Sequence, residues 1–487
     1  MPDNRAMSRI YDRAEPELPR TPDAPGVPEV PEVPEGPEGP EGPGVPDGRQ
    51  APAEAAAPPP APPGLSGSVH ELRTAGAHAK ARLMRWVRRR GSPVPDNLVD
   101  LLCNGQEFFP ALISAIDAAQ GHVVVETYIY ADDDVGTRVG DALIGAARRG
   151  VDVRLVVDGF GAGDMPAALL DRLRAGGVNV EIYRPMRGFK FARRHLRRLH
   201  RKIAVIDGKV AFVGGINIID DHNHGPIDLP ELGPRYDFAV RVRGPLVAQI
   251  ALASARLWFR IAQRRGLRET ANAFAEVEAL TRGARQARSD VHADGVPAAL
   301  LLRDNLRNRR TIEREYLYAL GSARHDVILA NAYFLPGHKM RRALLACRER
   351  GVRVRLLLQG MVEYRLQHYA THALYARLLE AGVEIYEYEE SFLHAKVAVV
   401  DDTWATVGSS NMDPFSLLLA REANVAVYDA AFANTLRVRL ERAMVQRSAR
   451  VMPEVHARLP RLRRFANWAA YYVLRLGVVI AGVTGRY

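Results

Sequence analysis

Two segments of the chain follow one pattern, and this repetition constrains the fold more than any other feature. Residues 200–207 read HRKIAVID and residues 394–401 read HAKVAVVD, so each is an H-x-K-x4-D motif. A turn of small residues follows each motif and ends in an asparagine, Asn217 or Asn411. The same internal spacing in segments 194 residues apart predicts an internal duplication.

The similarity between the two halves extends upstream of the motifs. Each half has an apolar, strand-like run (residues 122–130 and 327–334), then a helical pattern closed by Gly150 or Gly351, then a second strand-like run. Alternation of strands and helices at this spacing predicts the α/β class. We expect two pseudo-twofold-related α/β lobes, each with a mixed β-sheet flanked by helices, and an active site at the lobe interface.

The predicted domain boundaries follow from these patterns and from the length of 487 residues, which is too long for one ordinary core. The divisions are a tail at residues 1–68, a basic amphipathic segment at 69–92, the first lobe at 93–268, a linker at 269–295, the second lobe at 296–455 and a second tail at 456–487.

The first tail holds 18 of the 32 prolines, with one at every third position from residue 22 to residue 46. Such a spacing is typical of a polyproline II rod, and the segment has few apolar residues to bury, so it is predicted to be disordered. Residues 69–92 interleave arginines with apolar residues. This segment either lies on an anionic membrane or forms a solvated connecting helix.

The second tail is basic and then aromatic. Residues 465–485 contain one charge, Arg475. About 20 apolar residues span a bilayer, but an arginine near the centre costs about 2.5–3.5 kcal/mol. The favoured interpretation is an interfacial or re-entrant helix; a transmembrane span and packing on the body are the alternatives.

Charge is distributed unequally along the chain. Residues 1–68 carry a formal charge of −7 and the remainder carries +18, which indicates an anionic partner such as a membrane surface, a phosphate substrate or nucleic acid. A basic run before the first motif consists of Lys190, Arg193, Arg194, Arg197, Arg198 and Arg201. Together with the aromatic tail, it favours lipid over nucleic acid. The two cysteines allow neither a disulfide framework nor a zinc cluster, and the main body is expected to be cytoplasmic.

The motif residues suit chemistry at phosphorus. Residues i and i+2 of a strand share a face, so His200 lies beside Lys202 and His394 beside Lys396. If the lobes pack about a twofold axis, both pairs converge on one phosphate, with the Asn217 and Asn411 amides available to its oxygens. One histidine then attacks phosphorus and the other protonates the leaving alcohol. The lysines supply positive charge, so neither a metal nor another cofactor is expected.

Carboxylates in and after the motifs are candidates for orienting these histidines. Asp237 is expected to hold the histidine of the first lobe and Glu422 that of the second. Asp207 and Asp401 lie more than about 20 Å along the strand from their histidines, which predicts that they fix a turn or pair with a cation and do not contact the substrate. Residues 220–224 (DDHNH) are either a metal site or, as favoured here, polar loop surface.

The duplicated motif resembles that of the phospholipase D superfamily, and more narrowly the bacterial cardiolipin synthases of the short type that lacks N-terminal transmembrane helices. The resemblance covers about residues 95–445. Its supporting stretches are residues 104–110 (NGQEFFP), 126–130 (ETYIY), 200–217, 236–245, 330–336 and 406–413 (TVGSSNMD).

The resemblance implies the phospholipase D fold and transphosphatidylation. A phosphatidyl-histidine forms and a second phosphatidylglycerol displaces it, which yields cardiolipin and glycerol. It makes His200 the nucleophile and His394 the acid and base. The site residues expected are His200, Lys202, Asp207, His394, Lys396 and Asp401, supported by Asn217, Asp237, Asn411 and Glu422.

Other expectations are attached to this resemblance. The partner is an anionic phospholipid at the cytoplasmic side of the cell inner membrane, and attachment is peripheral or monotopic. The alternatives are a phospholipase D-type hydrolase, a metal-independent nuclease of the same superfamily, and a catalytically silent membrane scaffold. One departure is Ala420, where the family usually has asparagine two residues before the acid.

Overall fold

The computed structural model describes residues 92–163, 165–185, 197–224, 232–262, 295–304, 308–414, 416 and 420–480. The expectations for the proline-rich tail, for nearly all of residues 69–92 and 269–295, and for the arginine-rich run through residue 196 lie outside these ranges.

The first half of the described chain alternates strands and helices. In chain order it contains β1 (Val94–Cys103), α1 (Asn104–Asp117), β2 (His122–Thr127), α2 (Asp134–Arg148), β3 (Asp152–Asp158), α3 (Ala167–Ala175), β4 (Asn179–Tyr183), β5 (Lys202–Ile206), β6 (Val210–Gly214), β7 (Phe238–Arg243) and α4 (Leu246–Ala262).

The second half repeats this order and adds C-terminal elements. It contains β8 (Val296–Arg303), α5 (Thr311–Ser322), β9 (Asp326–Asn331), α6 (His338–Glu349), β10 (Arg353–Gln359), α7 (Arg365–His372), α8 (Tyr375–Glu380), β11 (Glu384–Tyr388), β12 (Lys396–Val400), β13 (Trp404–Gly408), β14 (Glu422–Val427), α9 (Ala430–Gln446), β15 (Ser448–Arg450), α10 (Pro453–Ala457) and α11 (Arg461–Ile480).

Strands of both halves form one mixed sheet in the order β15-β11-β10-β9-β12-β13-β14-β8-β1-β7-β6-β5-β2-β3-β4. Apart from the edge strand β15, equivalent strands of the two halves occupy the same position when the order is counted outward from the centre. β1 and β8 are the two central strands, and each motif strand, β5 or β12, is the fourth strand from the centre. The pseudo-twofold relation expected from the repeat is therefore visible in the sheet. The two expected sheets are joined into one through the antiparallel pairing of β1 with β8.

The hydrophobic core also joins the halves. On one face of the sheet, β5, β7, β12 and β14 pack with α4 and α9 into a single cluster that includes Val205, Ile250, Val397 and Leu436. On the other face, each half keeps its own cluster, built with α1 and α2 in the first half and with α5, α6 and α11 in the second. A core shared across the halves holds their facing strand ends in a fixed relation.

Each motif strand is short, fully buried and flanked by neighbours on both sides. β5 pairs with β2 and β6, and β12 pairs with β9 and β13. Residues 203–206 and 397–400 are consecutive apolar residues, as expected of strands buried on both faces. The histidine of each motif therefore lies just before its strand, at the same sheet edge as the carboxyl ends of β2 and β9.

Candidate active site

The backbone around His200 is held by the second half of the chain. Leu199 forms an isolated parallel bridge with Arg421. The His200 N–H donates to the Arg421 carbonyl at 3.0 Å, and the Arg421 N–H donates to the Arg198 carbonyl at 2.8 Å. Glu422, the first residue of β14, is thereby brought alongside the first histidine.

The backbone around His394 is held by an equivalent bridge from the first half of the chain. Leu393 pairs with Tyr236, the His394 N–H donates to the Tyr236 carbonyl at 2.8 Å, and the Tyr236 N–H donates to the Phe392 carbonyl at 3.0 Å. This register places Asp237, which follows Tyr236, beside the second histidine.

Each histidine is consequently paired with a carboxylate of the other half. Nδ1 of His200 lies 3.1 Å from both Oε1 and Oε2 of Glu422, and Nδ1 of His394 lies 2.6 Å from Oδ2 of Asp237. The prediction that Asp237 holds His200 and Glu422 holds His394 is wrong. The prediction assumed that each histidine is paired with a carboxylate of its own lobe. The bridges between the halves instead place each carboxylate beside the histidine of the other half.

A further pair of side chains fixes the residue before each histidine. Asp158, at the end of β3, accepts the Leu199 N–H at 2.7 Å, and Gln359, at the end of β10, accepts the Leu393 N–H at 3.1 Å. Neither residue was predicted from the sequence. They occupy equivalent strand ends, but their different side chains hide the equivalence from motif comparison.

The two lysines lie in the interior with their histidines. Lys396 is fully buried and Lys202 nearly so. The ammonium of Lys202 donates to the His200 carbonyl at 2.8 Å, and that of Lys396 donates to the His394 carbonyl. Tyr128, at the end of β2, contacts the His200 ring edge-on, and its own ring lies 5.4 Å from Lys202 Nζ.

Burial lowers the pKa values of both lysines. Burial, with the charge of Lys396 acting in the same direction, lowers the pKa of Lys202 to about 7. Burial lowers the pKa of Lys396 to about 8, against the opposing effect of Asp237 and Glu422. Two ammonium groups held this close, with water largely excluded, form a site that favours an anion.

The two carboxylates have different surroundings. Glu422 accepts hydrogen bonds from the hydroxyls of Ser409 and Ser416, each at 2.6 Å. The position equivalent to Ser409 in the first half is Gly215, where an added Cβ would lie 2.4 Å from Asp237 Oδ1. Asp237 accepts the backbone N–H of Phe238 at 2.8 Å. The small residue at position 215 therefore makes room for the Asp237 carboxylate.

These surroundings move the two acids in opposite directions. Burial raises the pKa of Asp237 to about 7, although the Lys396 charge and the Phe238 N–H act against it. Burial alone would raise the pKa of Glu422 too. The charge and hydrogen bond of His200, the charge of Lys202 and the Ser409 hydroxyl outweigh burial, so the Glu422 pKa is lowered.

Both imidazoles are biased towards the neutral form. Burial lowers the pKa of His200, against the opposing charge of Glu422. Burial lowers the pKa of His394 well below its usual value, and the ammonium groups of Lys396 and Lys202 act in the same direction. Since Nδ1 of His200 faces the Glu422 carboxylate, the proton of its neutral ring lies on Nδ1 and Nε2 presents its lone pair. When Asp237 holds a proton, it donates that proton to Nδ1 of His394, and the proton of the neutral His394 ring lies on Nε2. This arrangement provides a nucleophile and a proton carrier beside an anion site.

The aspartates of the motifs lie at the far end of their strands. Asp207 accepts the backbone N–H groups of Gln120, Gly121 and His122 at 2.8 to 3.0 Å. Asp401 does the same for residues 324–326. Both have positive φ, 51° and 48°, at the turn to the next strand. These contacts support the turn-fixing role predicted for them and give them no part in the histidine site.

The other expected residues are placed as follows. Asn217 is buried, and its Oδ1 accepts the Ile129 N–H at 3.1 Å. Asn411 is buried on the turn after β13. Contact of either amide with a phosphate stays a prediction. Asp221, in the polar loop, accepts the Gly105 N–H at 2.6 Å. The Ala420 carbonyl accepts a hydrogen bond from Arg303.

Comparison with known proteins adds independent findings. Residues 112–224 and 316–444 match the family described as "Cardiolipin synthase, PLD-like domain". Cardiolipin synthase B of Salmonella typhimurium is 39% identical over 352 residues, which cover 72% of this chain and 81% of the relative. Cardiolipin synthase B of Escherichia coli K12 is 39% identical over 353 residues, covering 70% and 79%. Cardiolipin synthase 2 of Bacillus cereus is 34% identical over 334 residues, covering 67% and 61%.

A solved structure shares the fold. The crystal structure of phosphatidylserine synthase from Haemophilus influenzae aligns with a TM-score of 0.56 at 15% identity, covering 82% of this chain and 98% of the other. At this level of identity the likeness concerns the arrangement of the backbone. The α/β fold expected from the repeat is confirmed.

Proposed function

Since the chain belongs to the cardiolipin synthase family of the phospholipase D superfamily, a family of phosphatidyltransferases, we propose that it makes cardiolipin from two molecules of phosphatidylglycerol through a phosphatidyl-histidine. The observation that carries this proposal is the pair of histidines, each oriented by a carboxylate from the other half beside two buried lysines.

In the first step, Nε2 of His200 attacks the phosphorus of one phosphatidylglycerol. The phosphorus–oxygen bond to the glycerol headgroup breaks, and the proton carried by the His394 and Asp237 pair passes to the departing oxygen. The products are glycerol and a phosphatidyl group bound to His200. Lys202 and Lys396 offset the negative charge on the phosphoryl oxygens.

In the second step, a glycerol hydroxyl of another phosphatidylglycerol gives its proton to His394. Its oxygen bonds to phosphorus, and the bond between phosphorus and Nε2 of His200 breaks. The free enzyme is restored with its original protons. The sum is two phosphatidylglycerols converted to one cardiolipin and one glycerol.

The unequal carboxylates support this division of roles. His200 gains positive charge when its Nε2 bonds to phosphorus. Glu422, whose pKa is lowered and which accepts hydrogen bonds from Ser409 and Ser416, stabilises that charge. His394 has to take up and release a proton. Asp237, whose pKa burial raises to about 7, lies 2.6 Å from it, so the pair holds an exchangeable proton near neutral pH.

A lipid-product assay tests the proposal. Purified protein is mixed with phosphatidylglycerol vesicles, and lipids and free glycerol are quantified. We expect cardiolipin and glycerol in equal amounts, and neither with His200→Ala. Phosphatidic acid in place of cardiolipin would identify a hydrolase instead. DNA cleavage that resists EDTA and disappears in His200→Ala, without lipid turnover, would identify a nuclease.

We also propose peripheral or monotopic attachment at the cytoplasmic side of the inner membrane, through α11. One face of α11 packs on α7 and buries Tyr471, Leu474 and Val478. Large apolar residues line the rest of the helix and are exposed: Leu462, Phe465, Trp468, Tyr472, Val473, Leu476 and Val479. Exposed arginines at positions 461, 464 and 475 accompany them. An exposed apolar stripe with flanking arginines fits an anionic lipid surface.

Over the part of the chain that the structure describes, we found no helix with both the length and the apolar character needed to cross a bilayer. The attachment is testable by flotation with phosphatidylglycerol vesicles. Replacing Phe465 and Leu476 by serine is expected to release the protein from the vesicles. Val445, which is 82% exposed on α9, provides the matched control: Val445→Ser is expected to float like the unmodified protein.

A further inference from the structure

A cavity that is open to solvent lies at the carboxyl ends of β9 and β10. Its lining includes Tyr333, Gln359, Glu363 and His368. The catalytic steps described above do not use these side chains.

Gln359 connects this cavity to the histidine site. Its Oε1 accepts the N–H of Leu393, the residue before His394. Since a backbone N–H can only donate, this contact fixes which end of the amide is the oxygen. The amide nitrogen Nε2 is buried and has no hydrogen-bond partner among the described residues. A buried donor without a partner is costly, which points to a ligand that supplies the acceptor.

Glu363 and Tyr333 provide the complementary groups. The Tyr333 hydroxyl donates to Oε2 of Glu363 at 2.5 Å. The charge of Glu363 acts on Lys396, which places the carboxylate near the catalytic ammonium. Burial lowers the pKa of His368 to about 4, so this ring of the lining is neutral at neutral pH. The positive charge of Lys396 offsets the negative charge of Glu363. A cavity with hydrogen-bond donors and acceptors and little net charge favours a ligand with uncharged hydroxyl groups.

Among the described residues of the first half, the equivalent place carries different side chains. The strand end there is Asp158, and Phe160, two residues later, is 58% exposed with the Arg198 guanidinium over its ring. An apolar ring with a cation suits an acyl chain and a phosphate better than a polyol. The polar cavity is therefore a feature of the His394 side.

We propose that this cavity binds the glycerol hydroxyls of the incoming phosphatidylglycerol through Tyr333, Gln359 and Glu363, and so selects a polyol alcohol over water and over an amine headgroup. This inference rests on the proposed function, since it assigns the acceptor of that reaction. The acceptor hydroxyl then lies on the side of the histidine that takes its proton.

The test separates the two half-reactions. The donor is a short-chain phosphatidyl-p-nitrophenol, whose aryl group leaves without a proton, and the acceptors are glycerol and ethanolamine. Release of nitrophenol reports the first step. The ratio of phosphatidylglycerol to phosphatidic acid reports how the phosphatidyl-enzyme divides between glycerol and water.

Three variants target the cavity. Gln359→Glu keeps an oxygen for Leu393, as Asp158 does for Leu199 in the first half, but removes the donor. Glu363→Gln and Tyr333→Phe remove the charge and the hydroxyl. Tyr369→Phe is the matched control, because Tyr369 belongs to α7 but does not line the cavity.

We expect nitrophenol release within about twofold of the unmodified protein in Glu363→Gln, Tyr333→Phe and Tyr369→Phe, which also shows that they fold. Gln359→Glu, which alters the side chain that holds Leu393, is compared by its product ratio alone, and its product formation shows that it folds. The ratio of phosphatidylglycerol to phosphatidic acid is expected to fall about tenfold in Glu363→Gln, as fits the loss of a charged hydrogen-bonding partner, and about three- to tenfold in the other two. The preference for glycerol over ethanolamine falls with it. Tyr369→Phe changes neither quantity.

Unchanged ratios in all three cavity variants, with an active unmodified protein, would overturn the acceptor site and leave the proposed function standing. A preference for ethanolamine in the unmodified protein would overturn the assignment to polyols. Phosphatidic acid as the sole product of the unmodified protein would overturn the proposed function and this inference with it.

Discussion

The two halves of the site have the same backbone and different acids. In each, a bridge from the other half places a carboxylate on Nδ1 of the motif histidine. In one, a serine hydroxyl donates to Glu422; in the other, Gly215 leaves the Asp237 carboxylate in a tight backbone pocket. The difference shows how a duplicated motif acquires unequal roles: the fold fixes both histidines, and the neighbours of the acids decide which retains charge and which exchanges a proton.

The largest expected effect distinguishes the two histidines. His200→Ala is expected to lose turnover of every donor, because the nucleophile is gone. His394→Ala is expected to lose about 10²–10⁴-fold with phosphatidylglycerol, yet to keep the first-turnover burst of nitrophenol from phosphatidyl-p-nitrophenol, because departure of that group needs no proton. Parallel assays with the two donors check this. Equal losses with both donors in both variants would contradict the division of roles.

The acids are expected to act through the histidines they contact. Glu422→Gln and Asp237→Asn should each lower kcat/KM about 10–100-fold, since each weakens a buried charged hydrogen bond. Double variants measure the coupling. In His394→Ala, which keeps a measurable rate, Asp237→Asn should add little further loss, whereas Glu422→Gln should add its full loss. Coupling within each half rather than across the halves would restore the pairing that sequence alone suggested.

The pairing of each histidine with a carboxylate of the other half could not be predicted from the sequence. The duplicated motif predicted the class of fold, the faces of the strands and the four histidine and lysine residues of the site. It did not reveal the bridges of Leu199 with Arg421 and Leu393 with Tyr236. Contacts between segments far apart in the chain are set by packing of the halves, and no local pattern encodes them.

The strands β1 and β8, which join the two halves of the sheet, were also not predicted from the sequence. The sequence of β1, VPDNLVDLLC, contains proline, asparagine and aspartates, and that of β8, VPAALLLR, has one β-branched residue. Both have poor intrinsic strand propensity. Pairing with each other and with β7 and β14 makes them strands. Tertiary context thus overrides local preference at the centre of the sheet.

The pH dependence of kcat/KM tests the roles assigned to the two lysines and to Asp237. Lys202 and Asp237 have pKa values of about 7, and Lys396 about 8. As pH rises through 7 to 8, the ammonium groups lose charge and the Asp237 and His394 pair loses its proton, so kcat/KM falls. The lowered pKa of His200 keeps the nucleophile neutral on the acid side. A profile of kcat/KM against pH that climbs steadily to pH 9 would contradict this assignment.

Substitutions at Gly215 and Ser409 test the surroundings of the Asp237 and Glu422 carboxylates. Gly215→Ala should push the Asp237 carboxylate out of place and lower activity about tenfold, as expected for a lost charged hydrogen bond. Ser409→Gly should remove one donor from Glu422 and cost about three- to tenfold. Steady-state rates on phosphatidylglycerol vesicles provide the comparison. If Ser409→Gly is the more damaging, the tight fit at Gly215 is unimportant.

The smallest effect on catalysis is expected at the motif aspartates. Asp207→Ala and Asp401→Ala each strip three backbone N–H groups of their acceptor. We expect a loss of about 1–3 kcal/mol in the free energy of unfolding for each, with activity per folded molecule nearly unchanged. Denaturant titration and rates normalised to folded protein measure the two quantities. A large loss of rate at full stability would give these residues a catalytic role.

The most direct test of the unequal halves is the position of the covalent adduct. The enzyme is quenched during turnover of phosphatidylglycerol, digested under conditions that preserve phosphohistidine, and mapped by mass spectrometry. We expect the phosphatidyl group on His200, in the unmodified protein and in Asp237→Asn, with none in His200→Ala. An adduct on His394, or on both histidines equally, would contradict the account.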